Sequence, residues 1–206
     1  MTFLWTGQDQ YGPTFVFAHG SGAAMDTPFM ETVAQGLAAR GVRVVRIEFS
    51  YMAARRTGGA KRPPPKVALL EQEYRDVLQE LALEGTVVIG GKSMGGRVAS
   101  MIADDLGSTG VLCLGYPFHP KGKPDRLRTA HLQVMQTPTL ICQGSRDPLG
   151  THEEVVGYGV SGQVEVAWFE DGDHDLKPRK RVTGVSHETQ LAAVCDRAAA
   201  WVIGLS

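Results

Sequence analysis

Apolar residues along the chain follow two recurring patterns: short unbroken runs, and positions three or four apart. Thr14 to Ala18, Val42 to Phe49, Thr86 to Ile89, Val111 to Leu114, Thr139 to Cys142 and Val164 to Phe169 are of the first kind. Such runs suit strands covered on both faces, as in a parallel sheet. A further short strand is predicted around Phe3 to Trp5. The second pattern falls between the runs. Thr27 followed by Pro28 reads as a helix start, with Phe29, Met30, Val33 and Leu37 on one face and Gly41 as the stop. Val67, Leu70, Tyr74, Val77, Leu78 and Leu81 keep helical spacing as far as Gly85. Met94 to Leu106 forms a third helix ended by Gly107, and Ser186 to Val202 a fourth. Strand and helix alternating in this way predict an α/β fold: a doubly wound, mostly parallel sheet of six to seven strands with helices on both faces. Ligands of such sheets bind beyond the carboxyl ends of the strands, so the residues just after each run are where chemistry is expected.

Length and composition bound the function. The 206 residues suit one domain spanning 1–206, and 43% hydrophobic with 21% charged residues is ordinary for a globular protein. A net charge of −1 gives no reason to expect nucleic acid as a partner. The first residues carry neither a basic segment nor a long apolar run, and no stretch approaches the roughly 18 apolar residues of a membrane span. A cytoplasmic protein is expected. Cys113, Cys142 and Cys195 lie in apolar patterns without CxxC spacing, so they read as small buried hydrophobes, not a disulfide framework or zinc site.

The motif with the most chemical content is Gly91-Lys92-Ser93-Met94-Gly95-Gly96, between the run Thr86–Ile89 and a helix. G-x-S-x-G in that setting is a nucleophile elbow, a turn so tight that its neighbours must be small. It lifts the serine hydroxyl above the sheet edge, at a helix N-terminus whose N–H groups and dipole favour developing negative charge. A phosphate-binding loop reading of Gly91-Lys92-Ser93 fails. The positions that would wrap phosphate, Val87, Val88 and Ile89, are strand formers.

A serine hydroxyl needs a base, and the base needs an acid to hold its tautomer. Of six histidines, His174 lies in the turn-rich Asp171-Gly172-Asp173-His174-Asp175 just after the run Val164–Phe169, while His187 sits at a helix start. Asp147, in Gly144-Ser145-Arg146-Asp147-Pro148, follows the run Thr139–Cys142. The order Ser93, Asp147, His174 is that expected of α/β-hydrolases. An oxyanion hole is expected from the backbone amide of Met94 and one from His19-Gly20-Ser21-Gly22; Ser21 is favoured, with Gly20 and Gly22 as alternatives, and His19 bracing the loop. The alternating Asp171, Asp173 and Asp175 do not continue as a calcium loop, since Leu176 and Val182 stand where Gly and Glu are required. Neither a metal nor a cofactor is called for.

These segments together resemble the α/β-hydrolase superfamily over nearly the whole chain. The strand tail at Phe49, Tyr51-Met52-Ala53-Ala54-Arg55-Arg56 and Pro63-Pro64-Pro65 resemble a group of small lidless bacterial predicted hydrolases, a group similar in turn to the testis-expressed protein 30 family and to the hydrolase-like domain of a chromatin-complex subunit. The resemblance implies the hydrolase fold, while some relatives serve as interaction modules. About 24 residues separate the run ending at Leu114 from the one starting at Thr139, too few for a helical cap domain.

Arg55, Arg56, Lys61, Arg62 and Lys66 form a basic stretch without an acidic residue between Phe49 and Leu70. It reads either as a solvated loop or as a surface, with Arg55 and Arg56 foremost, that draws an anionic substrate to Ser93. The expected function is hydrolysis of a small ester or thioester through an acyl-enzyme. The alternative is a non-catalytic binding module on the same fold. Oligomeric state is not legible.

Overall fold

The computed structural model of the protein describes residues 2–7 and 12–205. In chain order the elements are β1 (Leu4–Thr6), β2 (Thr14–Ala18), α1 (Pro28–Ala38), β3 (Arg43–Ile47), α2 (Ser50–Arg56), α3 (Val67–Leu81), β4 (Val87–Lys92), α4 (Met94–Leu106), β5 (Gly110–Leu114), β6 (Thr139–Gly144), α5 (His152–Val155), β7 (Val164–Phe169), α6 (Lys180–Thr183) and α7 (His187–Ile203). The strands make one seven-stranded sheet in the order β1-β3-β2-β4-β5-β6-β7. All neighbours run parallel except β1, which pairs antiparallel with β3 at the edge. Residues 115–138 form neither helix nor strand, so no cap domain is inserted between β5 and β6.

Strand side chains alternate between two cores. Val16, Ile89, Val111 and Ile141 meet α3 and α4 on one face. Phe15, Phe17, Leu112 and Leu140 meet α1 and α7 on the other. Burial on both faces is why these strands read as unbroken apolar runs. Among the described residues, no helix is long and apolar enough to cross a membrane.

Two features depart from the sequence reading. First, β4 continues three residues past Ile89, through Gly90, Gly91 and Lys92. Two glycines in a row read as a loop, but here they answer crowding. A Cβ on Gly91 would lie 2.5 Å from the Ala18 carbonyl oxygen. Second, Ser50–Arg56 is a helix that the apolar pattern does not predict, and it takes in Arg55 and Arg56 of the basic stretch. No local side chain caps this helix. The Ser50 amide instead donates to Glu73 Oε2 of α3 at 2.8 Å, a partner 23 positions away. A helix this short is marginal alone, and a distant cap leaves no local signature.

Candidate active site

The loops after β2, β4, β6 and β7 meet at one edge of the sheet. Ser93 sits at the turn between β4 and α4 with φ +52° and ψ −112°, left-handed backbone that a non-glycine residue adopts only under constraint. The constraint is tertiary. The Ser93 amide donates to the Leu114 carbonyl at 3.1 Å, and the Arg97 amide to the Ser93 carbonyl at 3.0 Å. The start of α4 presses on the end of β2, since a Cβ on Gly95 would lie 2.6 Å from the Ala18 oxygen and 2.7 Å from the His19 oxygen.

His174 comes from the loop after β7. Its Nε2 is 2.8 Å from Ser93 Oγ. Its Nδ1 is 2.7 Å from Asp147 Oδ2, and Asp147 is fully buried in the loop after β6. Gln143, the buried polar residue near the end of β6, fixes the carboxylate in turn. Its Nε2 donates to Asp147 Oδ2 at 2.9 Å, while its Oε1 accepts from the Tyr116 amide at 2.7 Å. The Leu149 amide donates to Asp147 Oδ1 at 2.8 Å. Gln143 was not singled out from the sequence. The available signal was a lone amide closing an apolar strand.

Lys92 was missed as well. It is 8% exposed, and its Nζ donates to the His174 carbonyl at 2.6 Å, with Asp175 Oδ1 at 3.3 Å. Burial lowers its pKa against the pull of Asp175. This ammonium ties the histidine loop to the strand carrying the serine. The aspartates around His174 are loop staples. Asp171 pairs with Arg179, which with the Arg179 amide holds its carboxyl down to about 2. Asp173 Oδ1 accepts from the Asp175 and Lys177 amides at 2.9 and 3.0 Å.

The loop after β2 faces the same serine. A Cβ on Gly20 would lie 3.7 Å from that of Ser93. His19 is wholly buried. Its Nε2 accepts from the Phe49 amide at 3.1 Å, so Nδ1 carries the hydrogen and donates to the Gly20 carbonyl at 2.6 Å. Burial lowers the His19 pKa, in keeping with a neutral ring. Holding the Gly20 carbonyl one way turns the N–H of the same peptide, that of Ser21, the other way. Tyr51 Oη donates to the Ser21 carbonyl at 2.9 Å and orients the Gly22 amide likewise. Met94 opens α4, where helix geometry leaves its N–H without an intrahelical partner.

Two cavities share Ser93 and Ser21. One, of about 170 Å³, is bounded by Gly20, Phe29, Met30, Lys92 and His174. The other, of about 290 Å³, lies between Pro64, Val67, Leu70, Met94, Arg97 and Arg128. The structure does not bring Arg55 and Arg56 to either. Arg56 is engaged by Glu48 at 2.6 Å and Asp26 at 2.7 Å, beside a separate cleft. Arg55 lies over the Tyr51 ring and donates to the Arg62 carbonyl at 2.5 Å. From the basic stretch, only its prolines Pro64 and Pro65 reach the serine's cavity.

Comparison with known proteins bears on this arrangement. The model of a family described as an alpha/beta hydrolase domain matches residues 12–203. No curated protein matches the chain. Among solved structures, the chain is similar to an alpha-beta serine hydrolase homologue from Coxiella burnetii (TM-score 0.66, 19% identity, 95% of this chain and 90% of that one). It is also similar to a dienelactone hydrolase from Anabaena variabilis (TM-score 0.71, 19% identity, 98% and 90%). A third is an α/β serine hydrolase without a lid from Xanthomonas campestris (TM-score 0.67, 16% identity, 94% and 84%). At such identities the likeness speaks for the fold. With the match running through nearly the whole sequence, the chain belongs to the alpha/beta hydrolase domain family.

Proposed function

We propose that this protein is a serine hydrolase that cleaves a small ester or thioester through an acyl-enzyme. The observation that carries the reading is the continuous relay Ser93–His174–Asp147, with contacts of 2.8 and 2.7 Å between side chains from three separate sheet-edge loops. A surface serine on a tight turn has no need of a histidine so held.

In the proposed reaction His174 Nε2 takes the Ser93 proton as Oγ attacks the carbonyl carbon. The Met94 and Ser21 amides stabilise the oxyanion. As the carbon–leaving-group bond breaks, the imidazolium returns its proton to the leaving oxygen or sulfur. Water, activated by the same histidine, then releases the acid. Asp147 keeps Nδ1 protonated and stabilises the imidazolium throughout. The limited volume beside Ser93 favours a small acyl group over a polymer.

Labelling with a fluorophosphonate probe tests this directly. Wild type should label and Ser93→Ala should not. Well-folded wild type that stays unlabelled would overturn the proposal in favour of a binding module on this fold. Gln143→Leu tests the support under the relay. It leaves the Tyr116 amide and one Asp147 lone pair without their partner, at about 1–3 kcal/mol per stranded buried group. The expected result is a lower melting temperature and a kcat reduced about tenfold or more, with KM little changed. Steady-state kinetics on a para-nitrophenyl ester beside a thermal melt gives both numbers.

A further inference from the structure

Positive charge beside Ser93 comes from a different place than the basic stretch. Arg97 lies one helical turn into α4, about 6 Å along the axis from Ser93. Arg128 comes from the segment between β5 and β6, and both side chains line the larger cavity. Several arginines elsewhere are paired. Arg46 meets Glu31, Arg56 meets Glu48, and Arg197 meets Glu165. Among the described residues, neither the Arg97 nor the Arg128 guanidinium has an ion pair or hydrogen bond, and Arg97 Nε is buried without a partner.

The surroundings do not compensate. His131 packs behind, with Nε2 2.9 Å from Ser100 Oγ and 3.3 Å from Tyr116 Oη. Burial, and then the charge of Arg97, push its pKa down to about 4, so at neutral pH it is uncharged. Asp104, the nearby carboxylate, is taken by the Gln136 and Thr137 amides and by the Thr137 hydroxyl. Arg128 in turn has a pKa lowered by burial and by Arg97. Two neighbouring, partly desolvated cations without a counter-charge are costly to hold, and an anion bound between them removes that cost.

We propose that Arg97 and Arg128 form a carboxylate subsite, so that the substrate is a monoester or monothioester of a short dicarboxylic acid. This rests on Ser93 being the acylated nucleophile. The acid belongs on the acyl side for a geometric reason. His174, which returns the proton to the leaving atom, borders the smaller cavity and not the larger one. The leaving group therefore points into the first and the acyl chain into the second, where Val67, Leu70 and Pro117 offer an apolar wall for a few methylenes. A carboxylate is planar and singly charged, which a guanidinium fork matches.

The test compares para-nitrophenyl hydrogen adipate with para-nitrophenyl hexanoate, in which a methyl replaces the terminal carboxylate. Wild type should favour the adipate ester in kcat/KM by about tenfold or more, and Arg97→Gln/Arg128→Gln should bring that ratio down to about one or below. A ratio is insensitive to partial loss of folded enzyme. Equal ratios in wild type and variant would overturn the subsite. So would a stronger preference for a carboxylate placed on the alcohol side, in para-carboxyphenyl hexanoate over phenyl hexanoate. Calorimetric titration of Ser93→Ala with adipate separates this proposal from the hydrolase reading. Arginine-dependent binding without fluorophosphonate labelling of wild type would sustain the anion site and sink the hydrolase. Labelling with hexanoate cleavage but no adipate preference or binding would do the reverse.

Discussion

Asp147→Asn should lower kcat about 10⁴-fold while the protein still folds. The reason is a count of donors around one buried carboxylate. Asp147 Oδ2 faces two donors, Gln143 Nε2 at 2.9 Å and His174 Nδ1 at 2.7 Å, and Oδ1 faces the Leu149 amide at 2.8 Å. Asparagine supplies one oxygen and one NH₂ group. With its NH₂ toward Leu149, a donor meets a backbone donor. With its NH₂ toward His174, it meets the Gln143 amide, whose orientation the Tyr116 peptide fixes, and it forces Nδ1 to accept. In that second arrangement Nε2 carries the hydrogen and cannot take the proton of Ser93. Either way a buried donor goes unpaired, at about 1–3 kcal/mol of stability. The measurement is kcat on a para-nitrophenyl ester beside urea unfolding. A variant within tenfold of wild type in kcat would remove Asp147 from the proposed mechanism.

The largest effect on stability is expected from a single methyl group. A Cβ on Gly90 would lie 1.9 Å from the Leu112 carbonyl oxygen and 2.8 Å from its carbon, both backbone atoms of the neighbouring strand β5. A flexible side chain could turn away, but a backbone carbonyl moves only if β4 and β5 separate. The same glycine bonds the buried Tyr74 hydroxyl, with both contacts at 3.0 Å. Gly90→Ala should therefore cost roughly 3 kcal/mol or more, a large share of a domain's total stability. Gly162→Ala is the matched control, because its added Cβ meets no atom within 4 Å. It should stay within about 0.5 kcal/mol of wild type. Urea unfolding midpoints compare the two, and a Gly90→Ala midpoint equal to that of Gly162→Ala would refute the crowding argument.

Much of the architecture was legible because burial on both sheet faces writes itself into composition. The β2 run, buried at every position, coincides with its strand for that reason, while the partly buried edge strand β7 and the helix α4 coincide with theirs through apolar composition and helical spacing. The relay residues were legible because each follows a strand at the sheet edge where loops converge, so topology alone brings Ser93, Asp147 and His174 near one another. What the chain order could not carry was anything settled by a distant partner. The helix α2 depends on Glu73, the orientation of Asp147 on Gln143, and the tie on the histidine loop on Lys92. Charge shows the same division. A run of basic residues is visible in sequence, but whether a cation is free is decided by what folds against it. Glu48 and Asp26 occupy Arg56, while among the described residues no acid pairs with Arg97 or Arg128, two arginines far apart in sequence that only the tertiary structure places together beside Ser93.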